Sequence, residues 1–127
     1  MTAEPIIFPV IAIPHVHDGD TLWVVRRWRV GDDGNGELWK QDYPGGVAVR
    51  LTDGKAGLAT PELKQPRGLE ARDDLVELTS HWALWPLELV WWGKFSFNRL
   101  LGDVRPPGST HGLTATMRVM GWDAWKK

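Results

Sequence analysis

Alternation of apolar and polar positions dominates the first third of the chain. Ile6 to His17 reads as a strand kinked at Pro9 and Pro14. Leu22 to Val30 reads as a second strand, with Leu22, Val24 and Arg26 on one face and Trp23, Val25 and Arg27 on the other. Asp18-Gly19-Asp20-Thr21 joins them as a tight hairpin turn, with Asp20 expected at the first strand position, where the sheet would hold its oxygens. Residues 31–46, with Gly31, Gly34, Gly36 and Gly45 before Gly46, read as a long connection with a mobile, solvated tip. Within it, Glu37-Leu38-Trp39-Lys40 extends the hairpin by a few paired residues. Its Asp32-Asp33-Gly34-Asn35 run lacks the spacing and closing Glu of a helix-loop-helix calcium site.

Val47 to Thr52 alternates again and predicts a third strand. The period then changes. Between Pro66 and Ser80, a stripe of Ala71, Leu75, Leu78 and Trp82 recurs at helical spacing, flanked by Leu69 and Val76. Arg67, Arg72, Asp73, Asp74 and Glu77 would face water. Leu87 to Trp92 predicts a fourth strand, Gly93 to Asn98 a turn and Arg99 to Val104 a fifth strand. After the Pro106-Pro107-Gly108 break, Ser109 or Thr110 is expected to cap a short helix running to Met120, with Leu113, Met117 and Met120 on one face and Gly121 at its end. Three strands, a helix, two strands and a helix make an α+β chain. That order predicts a single domain over residues 1–127, built on a five-stranded Greek-key barrel of the oligonucleotide- and oligosaccharide-binding (OB) kind.

Composition narrows the chemistry. A length of 127 residues suits one domain, and 43% apolar residues suffice for a real core. The net charge of -1 supplies no global basic field, so any phosphate binding rests on local arginines. The absence of cysteine excludes disulfides and thiolate metal sites. The N-terminal apolar run is short, broken by prolines and preceded by Glu4, unlike a signal peptide. No segment approaches membrane-spanning length, so the expectation is a soluble protein, with the cytoplasm favoured. Nine tryptophans exceed ordinary use; abundance of this kind favours core packing, with some left to form a platform for bases or a partner.

The richest stretch runs from Arg50 to Ala71. Arg50 sits at a strand end, and Pro61 stiffens the backbone just before Glu62. A carboxylate can activate water and a guanidinium can hold a phosphate, although both also suit an ordinary solvated loop. His15 and His17 share a strand face beside the Asp18-Gly19-Asp20 turn. That spacing is compatible with transition-metal ligands and equally with plain strand residues.

Asp18-Gly19-Asp20-Thr21, Arg50-Leu51, Thr60-Pro61-Glu62, Gly68-x-Glu70-Ala71 and Asn98-Arg99-Leu100-Leu101-Gly102, in that order, resemble the staphylococcal nuclease (thermonuclease) family. The resemblance runs from about Val16 to Ala124. It implies a metal-dependent, typically calcium-dependent, phosphodiesterase acting on DNA or RNA, which cuts the bond to the 5′ oxygen and leaves a 3′-phosphate. By that resemblance Asp20 is a metal carboxylate, Thr60 offers its backbone carbonyl to the metal, and Asp18 is an acid just outside the ligands. Glu62 handles the attacking water, and Arg50 and Arg99 hold the phosphate. The chain departs from the pattern at Ala59, where the family usually has a second metal carboxylate. Asp53, in a longer loop before Thr60, is a candidate replacement. Phe97 keeps a ring where the family often has tyrosine, and Asn98 replaces a glycine. The alternative to a nuclease is a non-catalytic barrel that binds single-stranded nucleic acid or a protein.

Overall fold

A computed structural model describes residues 4–32 and 37–122. The order is β1 (Ile6–Asp18), β2 (Thr21–Asp32), β3 (Glu37–Gln41), β4 (Val47–Leu51), α1 (Gly68–Trp82), β5 (Leu87–Ser96), β6 (Arg99–Arg105) and α2 (Leu113–Val119). Strand neighbours run β1-β5-β6-β4-β2-β3, and a further β1–β2 pairing closes five of them into a barrel. The β4–β6 pair is parallel and the rest are antiparallel. The result is a mixed five-stranded barrel with two helices, an α+β architecture compatible with the OB type.

Closure depends on irregularity in β1. Against β2, the register of β1 slips between Val10 and Ala12, between Ala12 and His15 and between Val16 and Asp18, with β1 carrying the extra residue each time. Such bulges bend and coil a strand. The outer half of β1, Ile6–Val10, is thereby free to pair with β5. The barrel interior is aliphatic, with Leu22, Val24, Val49, Leu51, Leu89 and Val104 wholly buried. Ala71 and Leu75 of α1, Leu113 and Met117 of α2, and Trp122 join the same cluster.

The sixth strand lies outside the barrel. β2 is long enough to pair with β4 through Thr21–Val24 and then with β3 through Arg27–Val30 and Asp32. The two outer segments form a projecting arm, as the Glu37–Lys40 pattern predicts; the expected mobile tip at 33–36 lies outside the described residues. At the base of the arm Asp42 accepts from the Arg26 backbone N–H at 2.9 Å and from its Nε at 3.2 Å. Arg26 is therefore half-buried, and Val25 on the other face is also covered.

Several sequence expectations need correction. Asp20 belongs to the two-residue turn, because Asp18 pairs directly with Thr21. The first helix opens at Gly68, two residues after Pro66, because Arg67 takes a left-handed conformation with φ 66°. Leu69 and Val76 are exposed, while Asp74 is half-buried and accepts from Trp122 Nε1 at 2.8 Å. The expected Gly93–Asn98 turn shrinks to Phe97 and Asn98, with φ 50° and 64°. β5 runs on to Ser96 by taking up two extra residues between Trp91 and Phe95, where Gly93 has φ 78°. Neither Ser109 nor Thr110 caps α2. Its N-cap is Gly112, whose backbone packs on the Asp103 carboxylate, and Met120 is 45% exposed. No helix among the described residues is long and apolar enough to cross a membrane.

Candidate functional site

At one end of the barrel the turn between β1 and β2 meets the ends of β4 and β6 and the loop before α1. Here Arg50, Glu62 and Arg99 line one cavity of about 620 Å³, together with His17, Asp18, Leu63, Lys64 and Phe97. Topology explains the meeting. Arg50 lies opposite Thr21 across the β2–β4 ladder and opposite Leu101 across the parallel β4–β6 ladder. Arg99 opens β6 directly after the Phe97-Asn98 turn.

Asp20 organises this end. Its side chain is fully buried beneath the cavity. Its Oδ1 accepts from Thr21 Oγ1 at 3.0 Å, and its Oδ2 accepts from the Thr60 backbone N–H at 3.3 Å. The Arg50 guanidinium lies 4.0 Å from Oδ2, with its side chain 26% exposed. Arg99 is tied to the same group one step removed: its Nη1 donates to Thr21 Oγ1 at 3.2 Å and its Nε to the Ser96 carbonyl at 3.2 Å. One buried carboxyl group thus adjoins both arginines, across 4.0 Å for Arg50 and through a hydroxyl for Arg99. The backbone locks the arrangement, with Leu51 N–H donating to the Asp20 carbonyl at 2.8 Å and Asp20 N–H to Asp18 Oδ1 at 3.1 Å. Gly19 is required between the two acids, because a Cβ there would meet Thr60 Oγ1 at 2.7 Å and Ala71 Cβ at 2.8 Å.

Glu62 is exposed, but its backbone is held. Its N–H donates to Gln65 Oε1 at 2.7 Å and its carbonyl accepts from Gln65 N–H at 2.9 Å. Gly68 then packs directly on the Glu62 carbonyl, leaving no room for a Cβ. Neither Gln65 nor Lys64 stood out in the sequence. The signal available for Gly68 was its place in the Gly68-x-Glu70-Ala71 motif.

Of the groups expected around a cation, Asp20 and the outer acid Asp18 adjoin each other in the turn, and Thr60 lies against it. Thr60 Oγ1 is buried with no hydrogen-bond partner among the described residues, an orphan that leaves a polar position open beside the two acids. A hard cation takes six to eight oxygens, and these groups fit the protein's share of a weak site, with Ala59 adding nothing. Among the described residues no three His, Asp or Glu side chains cluster.

Asp53 does not join this group. Its Oδ2 is paired with Arg118 Nη1 at 2.6 Å, and its Oδ1 accepts from the Lys55 and Ala56 backbone N–H groups at 2.8 Å each. Burial alone would raise its pKa, but the Ala56, Lys55 and Arg118 hydrogen bonds outweigh it and bring the carboxyl down to about 2. Asp53 lines a second cavity of about 450 Å³ with Trp92, Asp103, Arg105, His111 and Arg118. There, burial pushes the Asp103 carboxyl up to about 6, against hydrogen bonds from Thr114 and Val104 that pull it down. His15 and His17 pack around Trp23, with ring centroids 5.3 and 6.0 Å from the indole, and only His17 reaches the first cavity. No protein-family model, curated protein or solved structure matches this chain.

Proposed function

We propose that the cavity lined by Arg50, Glu62 and Arg99 is a phosphodiesterase site that hydrolyses DNA or RNA in the manner of the staphylococcal nuclease family. The barrel's strand order supports reading it as the Greek-key form that the resemblance implies. One observation carries the proposal. Three residues from β4, the loop before α1 and β6 line a single cavity, and the buried Asp20 lies 4.0 Å from the Arg50 guanidinium and is linked to Arg99 through the Thr21 hydroxyl.

In this reading a phosphodiester enters with its non-bridging oxygens facing Arg50 and Arg99. Glu62 accepts a proton from a water molecule as the water oxygen bonds to phosphorus. The bond from phosphorus to the 5′ oxygen breaks, and that oxygen takes up a proton from solvent. Negative charge grows on the non-bridging oxygens in the transition state. Guanidiniums already held in place stabilise it without reorganising, an effect worth roughly 3 kcal/mol for one such donor. Asp20 and the Thr60 carbonyl, with Asp18 just outside them, would hold a divalent cation such as Ca2+, which when bound supplies further positive charge at the phosphate. The acid at Glu62 favours catalysis over binding, since a site that only held phosphate would gain nothing from a carboxylate facing it.

Digestion of plasmid and single-stranded DNA, and of RNA, with calcium, magnesium, manganese or chelator tests the reading. Cutting by the wild type, reduced about 100-fold or more in Glu62→Gln and in Arg50→Ala, is expected. Cutting that survives both substitutions would refute it. A second reading rests on Ala59 and on the engagement of Asp53 with Arg118, which together leave the cation site short of charge. On that reading the cavity binds phosphate without cutting, and the wild type shifts an oligonucleotide on a gel with no product formed.

A further inference from the structure

We infer that a single strand of nucleic acid seated in this cavity continues along the outer face of β2 and onto the β2–β3 arm, which acts as an added binding platform. The inference rests on the proposed phosphodiester site for its starting point only.

The track begins at the cavity wall. His17 lines the cavity and packs against Trp23, and His15 packs against the same indole. Along a strand, every second side chain shares a face. Thr21, which holds Arg99, therefore shares its face of β2 with Trp23, Val25, Arg27 and Arg29, of which Thr21 and Val25 are buried and Trp23, Arg27 and Arg29 reach the surface. On the arm Arg29 pairs with Trp39 and Arg27 with Gln41, which places Trp39 beside both arginines. The contact is direct, since the Arg27 guanidinium lies 4.5 Å over the Trp39 ring. Trp39 is 45% exposed although it is one of the largest apolar side chains in the protein.

Two indoles, Trp23 near the cavity and Trp39 on the arm, with guanidiniums between and beside them, suit one class of partner. Bases stack on an aromatic face whatever their identity, and the phosphates between them meet the arginines. From Thr21 to Arg29 the strand runs roughly 26 Å at about 3.3 Å per residue, long enough for several nucleotides. At the base of the arm the Asp42 carboxylate is taken up by Arg26, on the opposite face of β2 from Arg27. Duplex DNA presents no base faces to stack, so the preference is for single strands.

Fluorescence anisotropy with labelled oligo-dT and oligo-rU of about twelve nucleotides, a length within the range of OB-type barrels, measures the track. A labelled dinucleotide and a duplex serve as comparisons, with chelator present to prevent cutting. The long single strands are expected to bind much more tightly than the dinucleotide or the duplex. Trp39→Ala should weaken long-strand binding about 10-fold while leaving the dinucleotide unchanged, and Trp39→Phe should recover most of it. Arg27→Ala should lower the slope of log affinity against log salt by about 0.7, the change for one phosphate contact on a single strand. Unchanged melting temperatures verify that both variants fold. Equal affinity of wild type and Trp39→Ala for long strands overturns the inference, as does tighter binding of duplex. A protein that cuts a dinucleotide but shows no gain with length loses the track and keeps the phosphodiesterase site. One that binds long strands through Trp39 and cuts nothing keeps the track and loses the catalysis.

Discussion

Asp103 gives the sharpest quantitative test of the fold, because its cost can be worked from its surroundings. It is 7% exposed in β6 and faces the first turn of α2. Its Oδ1 accepts from Thr114 N–H at 3.0 Å, Thr114 Oγ1 at 2.9 Å and Val104 N–H at 3.0 Å. Burial nonetheless dominates and lifts its pKa from 3.8 to about 6. Because the folded value lies above the unfolded one, the native state holds a proton between the two where the unfolded chain does not. The stabilisation from that proton is fully present below 3.8 and is lost as pH rises through about 6. The interval corresponds to about 3 kcal/mol. Asp103→Asn keeps an oxygen for all three donors and removes the charge. Urea unfolding of both proteins from about pH 3 to pH 7 isolates the effect, since the other titrating groups cancel in the difference. The stability of the variant relative to wild type should fall by about 3 kcal/mol on going from pH 7 to below pH 4. A difference that stays flat, or that rises on acidification, would refute the argument that burial outweighs the three hydrogen bonds.

Two further substitutions probe how the site loop is braced. Gly68→Ala places a methyl group against the Glu62 carbonyl. Helix propensity alone predicts a gain of up to about 1 kcal/mol, whereas overpacking predicts a loss of about 1–3 kcal/mol, so the sign of the change in urea midpoint decides between them. The expected result is a loss, with a fall in any cutting activity beyond what the lower stability explains. Trp122→Phe removes the indole donor to Asp74 that ties the segment after α2 to α1. It should cost about 1–3 kcal/mol in chemical unfolding, and a loss well below that range would mean that water satisfies Asp74 equally well.

Legibility divided along the line between local pattern and tertiary demand. The barrel strands, both helices and the extension of the hairpin by Glu37–Gln41 follow from periodicity, because each buries one face and that face is written at its own repeat. The ends of elements were less readable. Pro66 is a sound helix-start signal, yet the start waits until Gly68, where the chain must pass beneath the Glu62 carbonyl. Ser109 and Thr110 look like caps, but Asp103, 11 residues before Thr114 in sequence, supplies the oxygen that meets the N-terminus of α2. β5 outran its expected end because its bulge at Gly93 absorbs two residues without breaking the ladder, which no composition signal marks.

The same division runs through the site. Arg50, Glu62 and Arg99 were identifiable because each occupies a motif, and they do line one cavity. The role of Asp20 was only half visible. Its buried carboxylate accepts from the Thr21 hydroxyl and the Thr60 backbone and lies 4.0 Å from Arg50, so it braces the turn and the loop before α1 as well as facing a guanidinium. Any cation would have to share that carboxylate with Arg50, whose positive charge lies 4.0 Å from the same oxygen. With Ala59 beside it and Asp53 held by Arg118, the balance of charge shifts from metal toward arginine. Restoring the missing carboxylate with Ala59→Asp is therefore the decisive perturbation. If the cation is what limits the site, this single change should raise calcium-dependent cutting by about 10-fold or more, within the range of a typical metal or oxyanion contact. If instead the arginines alone set the chemistry, the added charge should draw Arg50 away from the phosphate, and cutting and oligonucleotide binding should fall together.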